Sequence, residues 1–149
     1  MRRTLLALKQ GDRPDLVSAL VRTWAGPPAV TGCLVPVPTS PDRVRRRGYD
    51  HAVLLAEALA ARWGWRMAPR GLVRRISTPR LHPLGPARRR QVLEDAFRVG
   101  QVQQGRPVWL VDDLHTTGAT MRSCVLTLSG SGCHVSGIVV MARAASGIR

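Results

Sequence analysis

Apolar positions along this 149-residue chain change rhythm repeatedly, from helical spacing to short unbroken runs and back. In DRPDLVSALVRTWAG, Leu16, Val17, Leu20, Val21 and Trp24 recur on one helical face, Pro14 suits the first turn, and Gly26, Pro27 and Pro28 stop the helix. CLVPVPTS follows, with prolines at alternate positions, which fits a buried strand end or an edge strand and excludes a helix; its C-terminal end is expected to be a loop. A second helix is expected after PDRVRRRGYD, from about His51 to Trp63, with Asp50 as N-cap, Leu54, Leu55, Ala58 and Leu59 inward, and Gly64 as the stop. Residues 65–76 have room for one or two short strands, and ISTPRLHPLGP is a proline-rich loop. ARRRQVLEDAF reads as a short helix entering a strand near Ala96 to Val99, and QVQQGRP turns the chain. VWLV is a continuous apolar strand, Thr120 to Ser129 a helix with Met121, Cys124, Val125 and Leu128 inward, GSG a break and HVSGIVVMAR a final strand.

Strands without a polar face that alternate with helices predict an α/β domain on a mostly parallel, twisted sheet with helices on both faces. The length suits one core, so residues 1–149 are expected to form a single domain. With 44% hydrophobic residues and no apolar stretch near the roughly 20 residues a bilayer demands, no membrane insertion is expected. MRRTLLALKQGDRP is too quickly interrupted by charge for a secretory signal, which points to a cytoplasmic protein. Cys33, Cys124 and Cys133 lack CxxC spacing, so neither a disulfide framework nor zinc is expected.

Charge sharpens the picture. The net charge is +14, and 22 of the 23 basic residues are arginine, thirteen of them between Arg43 and Arg90. Arginine's planar fork binds phosphate in a bidentate way, so phosphate-bearing partners, small or polymeric, are indicated. Codon bias toward arginine on a solvated surface would produce the same bulk charge.

Against this basic background, VWLVDDLHTTGAT places two of nine acidic residues side by side after an apolar run. In open parallel sheets, ligands bind beyond the carboxyl ends of the strands, and VWLV would deliver Asp112 and Asp113 there. Thr116, Thr117 and Gly118 then lead into a helix whose free N–H groups and dipole favour an anion. Adjacent carboxylates suit the vicinal hydroxyls of a ribose, directly or through magnesium, about one sugar's length from such a phosphate site. The alternative is that the aspartates cap the turn and the threonines fill it. The segment is not a Walker A loop, which would need a GK pair.

Residues 108–120 resemble the phosphoribosyl pyrophosphate (PRPP) binding motif of type I phosphoribosyltransferases. LKQGDRPDLVSALVR, VPVPTSPDRVRRRGYDHAVLLAEALA, LVRRISTPRLHPLGPARRRQVLEDAF and the closing VVMAR extend the likeness, over nearly the whole chain, to the ComF family of competence-associated, phosphoribosyltransferase-like proteins. The resemblance implies a type I phosphoribosyltransferase-like fold. It also implies that Asp112 and Asp113 hold the ribose hydroxyls, act in any catalysis and meet Mg2+ through the ligand. Thr116, Thr117, Gly118, Ala119 and Thr120 would take the 5-phosphate, and the turn at Pro38, Thr39 and Ser40 the pyrophosphate. Arg45, Arg47, Gly48 and Tyr49 match a basic signature, and Arg89 or Arg90 a further basic position; a solvated basic face is the alternative for these arginines. The sequence departs from the family where it lacks the usual N-terminal zinc module, through loss or a truncated start. It departs again at Leu81 and Gln91, which replace glutamine and asparagine, and at Asp50 and His51, which replace asparagine and glutamine.

Two functions are compatible with these residues. One is a competence protein with a PRPP or ribose-phosphate site that works in DNA uptake with single-stranded DNA and a helicase. The other is an active phosphoribosyltransferase with a nucleobase-like acceptor, although Thr116 stands where enzymes acting on 6-oxopurines carry aspartate. Trp24, Trp63, Trp65 and Trp109 are expected to pack, His115 to be a variable loop residue, and His51, His82 and His134 have no metal-ligand spacing. Oligomeric state is not legible.

Overall fold

A computed structural model describes residues 15–24, 26–75, 96–115 and 118–143, the side chains at 15, 16, 114, 115, 142 and 143 excepted. The expected elements at 76–95, including the proline-rich loop and the short helix before Ala96, lie outside the described residues. Helix α1, Asp15–Arg22, buries Val17, Leu20 and Val21 as its spacing predicts. Strand β1, Cys33–Pro36, is buried throughout.

The first difference from expectation is α2, Pro41–Arg47, a helix inside PDRVRRRGYD. It has no buried residue, so hydrophobic periodicity carries no trace of it. Its end signals are nonetheless complete: Pro41 in the first turn after an extended Ser40, Asp42 near the positive end, and Arg45, Arg46 and Arg47 near the negative end. Gly48 closes it at φ 81°, a left-handed conformation that glycine tolerates best. Helix α3, His51–Trp63, then begins at the Asp50 cap and ends at Gly64. Leu55, Ala56 and Leu59 are buried in one core, Leu54 and Ala58 pack against it, and Ala52 is buried as well.

Two short strands occupy residues 65–76. β2, Arg66–Met67, joins the main sheet; β3, Leu72–Arg74, pairs antiparallel with β4, Phe97–Val99. Strand β5, Val108–His115, outruns the expected VWLV because β6, Val135–Arg143, keeps pairing with it through Asp112↔Val140 and His115↔Arg143. Between them lies α4, Ala119–Gly130, with Met121, Ser123, Cys124 and Leu128 buried and Val125 packed alongside.

The main sheet is ordered β2-β1-β5-β6 and every pairing in it is parallel. From β1 the chain moves outward through α3 to β2, and from β5 it moves outward in the opposite direction through α4 to β6. Right-handed crossovers in opposite directions must place their helices on opposite faces. The cores agree. Leu34 and Val111 share one cluster with Val17 and Val21 of α1 and Leu55 and Leu59 of α3, while Val35 and Leu110 share another with Met121, Cys124 and Leu128 of α4 and with Phe97. Alternate residues of β1 and β5 thus feed alternate faces, as the two-residue period of a strand demands.

Trp109 packs as expected. A Cβ on its cross-strand partner Gly137 would come 2.7 Å from ring atom Cε3, and one on Gly32 would come 2.6 Å from Cδ1, so the indole fills space that two glycines leave.

Candidate functional site at the switch point

The change of direction between β1 and β5 makes that pair the topological switch point, and the space beyond their carboxyl ends is where open parallel sheets bind ligands. Pairing of β1 with β5 stops at Pro36↔Val111, extended by one bond from Val37 N–H to the Val111 carbonyl at 2.8 Å. β5 continues past this point beside β6 alone. Asp112 and Asp113 therefore lie inside β5, not after it as VWLV suggested, yet still beyond the end of β1.

Strand alternation separates the two carboxylates. Asp113 Oδ2 stands 3.5 Å from His51 Nδ1 at the start of α3. The Asp112 carboxylate instead acts on Cys124 of α4: burial first, then this negative charge, pushes the Cys124 thiol up to about 12. Asp112 Oδ1 also accepts the Asp113 N–H at 2.8 Å. The pair straddles the strand, with Asp113 toward the α3 face and Asp112 toward the α4 face.

The start of α3 reaches both strand ends. Asp50 accepts from Ala52 N at 3.0 Å as N-cap, and the same carboxylate accepts from Thr39 N at 3.2 Å and Thr39 Oγ1 at 3.0 Å. That fastens the turn after β1, where Pro38, Thr39 and Ser40 are expected to meet pyrophosphate. The next residue, His51, faces Asp113 of β5. Arg74 of β3 reaches toward the Pro38 carbonyl at 3.5 Å and lies 5.4 Å from the Phe97 ring centre. Its pKa is lowered, by burial foremost and then by the neighbouring Arg43 charge.

The signature residues of RxRGY divide. Arg47 is half-buried, with Nη1 3.1 Å from His51 Nδ1, whereas Arg45 is exposed and paired with Asp42 of its own helix. An exposed pair of this kind adds little stability and is readily exchanged for another anion. Gly48 serves as the left-handed cap of α2, and the Tyr49 ring meets His51 edge-on at 5.0 Å. Arg43, Arg45 and Arg46 of α2 are all exposed.

The phosphate half of the motif is described in part. Gly118 takes φ 74° and its carbonyl accepts from Arg122 N at 2.8 Å, so Ala119 and Thr120 form the first turn of α4. Thr116, Thr117, Arg89 and Arg90 lie outside the described residues. Sequence reasoning misses two components of the site: Asp50, which reads there as a cap alone, and His51, which has no ligand spacing. The signal for both is their departure from the family pattern.

No group of three or more His, Cys, Asp or Glu side chains gathers among the described residues. Mg2+ does not require one. It is commonly held by one or two carboxylates together with substrate oxygens, and Asp112 and Asp113 supply hard oxygen donors of that kind. No helix among the described residues is long and apolar enough to cross a membrane.

Fold and site define an α/β protein with a parallel sheet, two carboxylates beyond the end of β1 at its switch point and a short basic helix in the connection after β1. No family model matches the chain. It is similar to DNA utilization protein YhgH of Escherichia coli K12, with 31% identity over 99 residues, 66% of this chain and 44% of that protein. The proteins of the same name from Salmonella typhimurium LT2 and Shigella flexneri are 32% and 30% identical over the same share of each chain. The chain thus spans less than half the length of these relatives.

Proposed function

We propose that this chain is a ComF-like protein that binds PRPP or a related ribose phosphate at the switch-point crevice and handles DNA during natural transformation. The observation that carries the ligand reading is the extension of β5 past β1, which sets Asp112 and Asp113 at the crevice while Asp50 pins the turn that follows β1. In this reading Asp113 takes a ribose hydroxyl, and Asp112, which strand alternation turns to the other face, meets Mg2+ through the ligand. Mg2+ would supply charge neutralisation for a pyrophosphate. Gly118, Ala119, Thr120, Thr116 and Thr117 take the 5-phosphate, and Thr39, Ser40, Arg47 and Arg89 or Arg90 the pyrophosphate.

The DNA half draws on the exposed arginines of α2, on the +14 charge and on relatives named for DNA utilization. Arginine with few exposed aromatics suits contact with the sugar-phosphate backbone of single-stranded DNA more than base stacking. A helicase is the partner this role implies. The competing function is phosphoribosyl transfer from PRPP to a nucleobase-like acceptor, for which the same carboxylates would serve.

One pair of assays separates them. Retention of single-stranded DNA should fall steeply with salt, and replacing Arg43, Arg45 and Arg46 by alanine should flatten the log–log slope by about 0.7 for each phosphate no longer neutralised. Retention no better than that of a neutral control protein at low salt removes the DNA role. Release of pyrophosphate from PRPP and Mg2+ with a panel of acceptors, abolished in Asp113→Asn, would establish the transferase instead.

A further inference from the structure

His51 is 6% exposed at the first position of α3, and its buried Nε2 has no hydrogen-bond partner among the described residues. Its Nδ1 faces two groups with opposite requirements: Arg47 Nη1 at 3.1 Å, which only donates, and Asp113 Oδ2 at 3.5 Å, which as a carboxylate only accepts. One ring nitrogen cannot serve both. With a lone pair on Nδ1 the ring takes Arg47; with a hydrogen there it holds Asp113. Stability alone would favour an apolar side chain at so buried a position, and an orphaned buried nitrogen beside a candidate site calls for a functional explanation. The 3.5 Å separation from Asp113 is longer than an ordinary hydrogen bond, as site hydrogen bonds in free proteins often are.

We propose that His51 is the positioning residue of Asp113. Nδ1–H holds Oδ2, which leaves Oδ1 of the carboxylate for a ribose hydroxyl, and Arg47 competes for the same nitrogen. This rests on the ribose-phosphate reading of the crevice. A pyrophosphate or DNA phosphate that draws Arg47 away lets the ring hydrogen pass from Nε2 to Nδ1, where it holds Asp113, so occupation of the basic helix and order at the ribose carboxylate are coupled.

The test uses the whole chain labelled with 15N. Long-range correlation spectra of the imidazoles report which nitrogen carries hydrogen. Asp113→Asn and Arg47→Ala should each move the His51 Nδ1 resonance and leave that of the exposed His134 in place. If Asp113→Asn leaves His51 unmoved, the positioning role is wrong, whether or not PRPP binds. PRPP titrations with Mg2+ then complete a double-mutant cycle. His51→Ala should weaken binding by about tenfold, the lower bound usual for residues that orient a ligating group, and should add no loss in the Asp113→Asn background. His51→Asn, whose amide overlays Nδ1, should recover most of the affinity, and His51→Gln, whose amide overlays Nε2, should not. Additive losses, or equal recovery by Asn and Gln, overturn the proposal, and the Asn and Gln pair decides it if His51→Ala does not fold. A His51 response to Asp113→Asn together with no PRPP binding by wild type would sink the sugar-phosphate reading and leave the His51–Asp113 link standing.

Discussion

Asp50→Ala removes the carboxylate that joins the turn after β1 to the start of α3. Three hydrogen bonds go: the cap to Ala52 N, and those from Thr39 N and Thr39 Oγ1. Loss of an N-cap costs about 1 kcal/mol. Each bond from Thr39 goes to a charged acceptor and is worth roughly 1.5–3 kcal/mol where water is excluded. Thr39 is half-buried, so water recovers much of that, and a net loss of about 2–3 kcal/mol is expected. At about 2–4 °C per kcal/mol for a chain of this size, Tm should fall by roughly 5–10 °C. Asp50→Asn keeps the cap and one of the two bonds from Thr39. Its Oδ1 still accepts from Ala52 N and Thr39 Oγ1, but its amide nitrogen cannot accept from Thr39 N, so about 1 kcal/mol should be lost. Scanning calorimetry of the three proteins decides the matter. A Tm for Asp50→Ala within about 1 °C of wild type, or equal damage from Asn and Ala, would refute the tether.

Gly137→Ala should cost about 1–3 kcal/mol in urea unfolding, because the new methyl enters the ring of Trp109 on the neighbouring strand and neither the strand nor an indole packed against the core can yield freely. An unchanged midpoint would show that the indole is not held there. The thiols of Cys33, Cys124 and Cys133 are all buried, so aromatic disulfide reagents at pH 8 should titrate them only after unfolding. Because the folded Cys124 pKa is raised from 9.0 to about 12, the unfolded thiol ionises first, and its contribution to stability, intact below pH 9, is lost as pH rises toward 12. Asp112→Asn removes one cause of that rise and should make the alkaline loss attributable to Cys124 smaller; an unaltered profile from Cys124→Ala and from Asp112→Asn would exclude the coupling.

Much of this architecture is legible where burial writes a period into the chain. α1, α3 and α4 follow from apolar spacing, and VWLV and HVSGIVVMAR from unbroken apolar runs. α2 does not, because a helix without a buried face leaves no hydrophobic signal, and only its proline, charges and capping glycine betray it. The length of β5 escapes for a related reason: Asp112 and Asp113 are poor strand formers, and what keeps them extended is the ladder to β6 farther along the chain. The site is legible as a motif but not as a geometry. Nothing in DD announces that strand alternation sends one carboxylate toward His51 and the other toward Cys124. Nor can local spacing join His51 to Asp113, since the crossover from β1 through α3 is what brings the helix start to the strand end.

Binding of a ribose phosphate in the crevice through Asp112 and Asp113 is tested most directly by calorimetry. PRPP with Mg2+ is titrated into wild type, Asp112→Asn and Asp113→Asn, with Mg2+ alone as control. Saturable heat is predicted for wild type, with affinity at least about tenfold weaker, or 1.4 kcal/mol, in each variant. Absence of saturable heat in wild type, or equal affinity in all three, would contradict it.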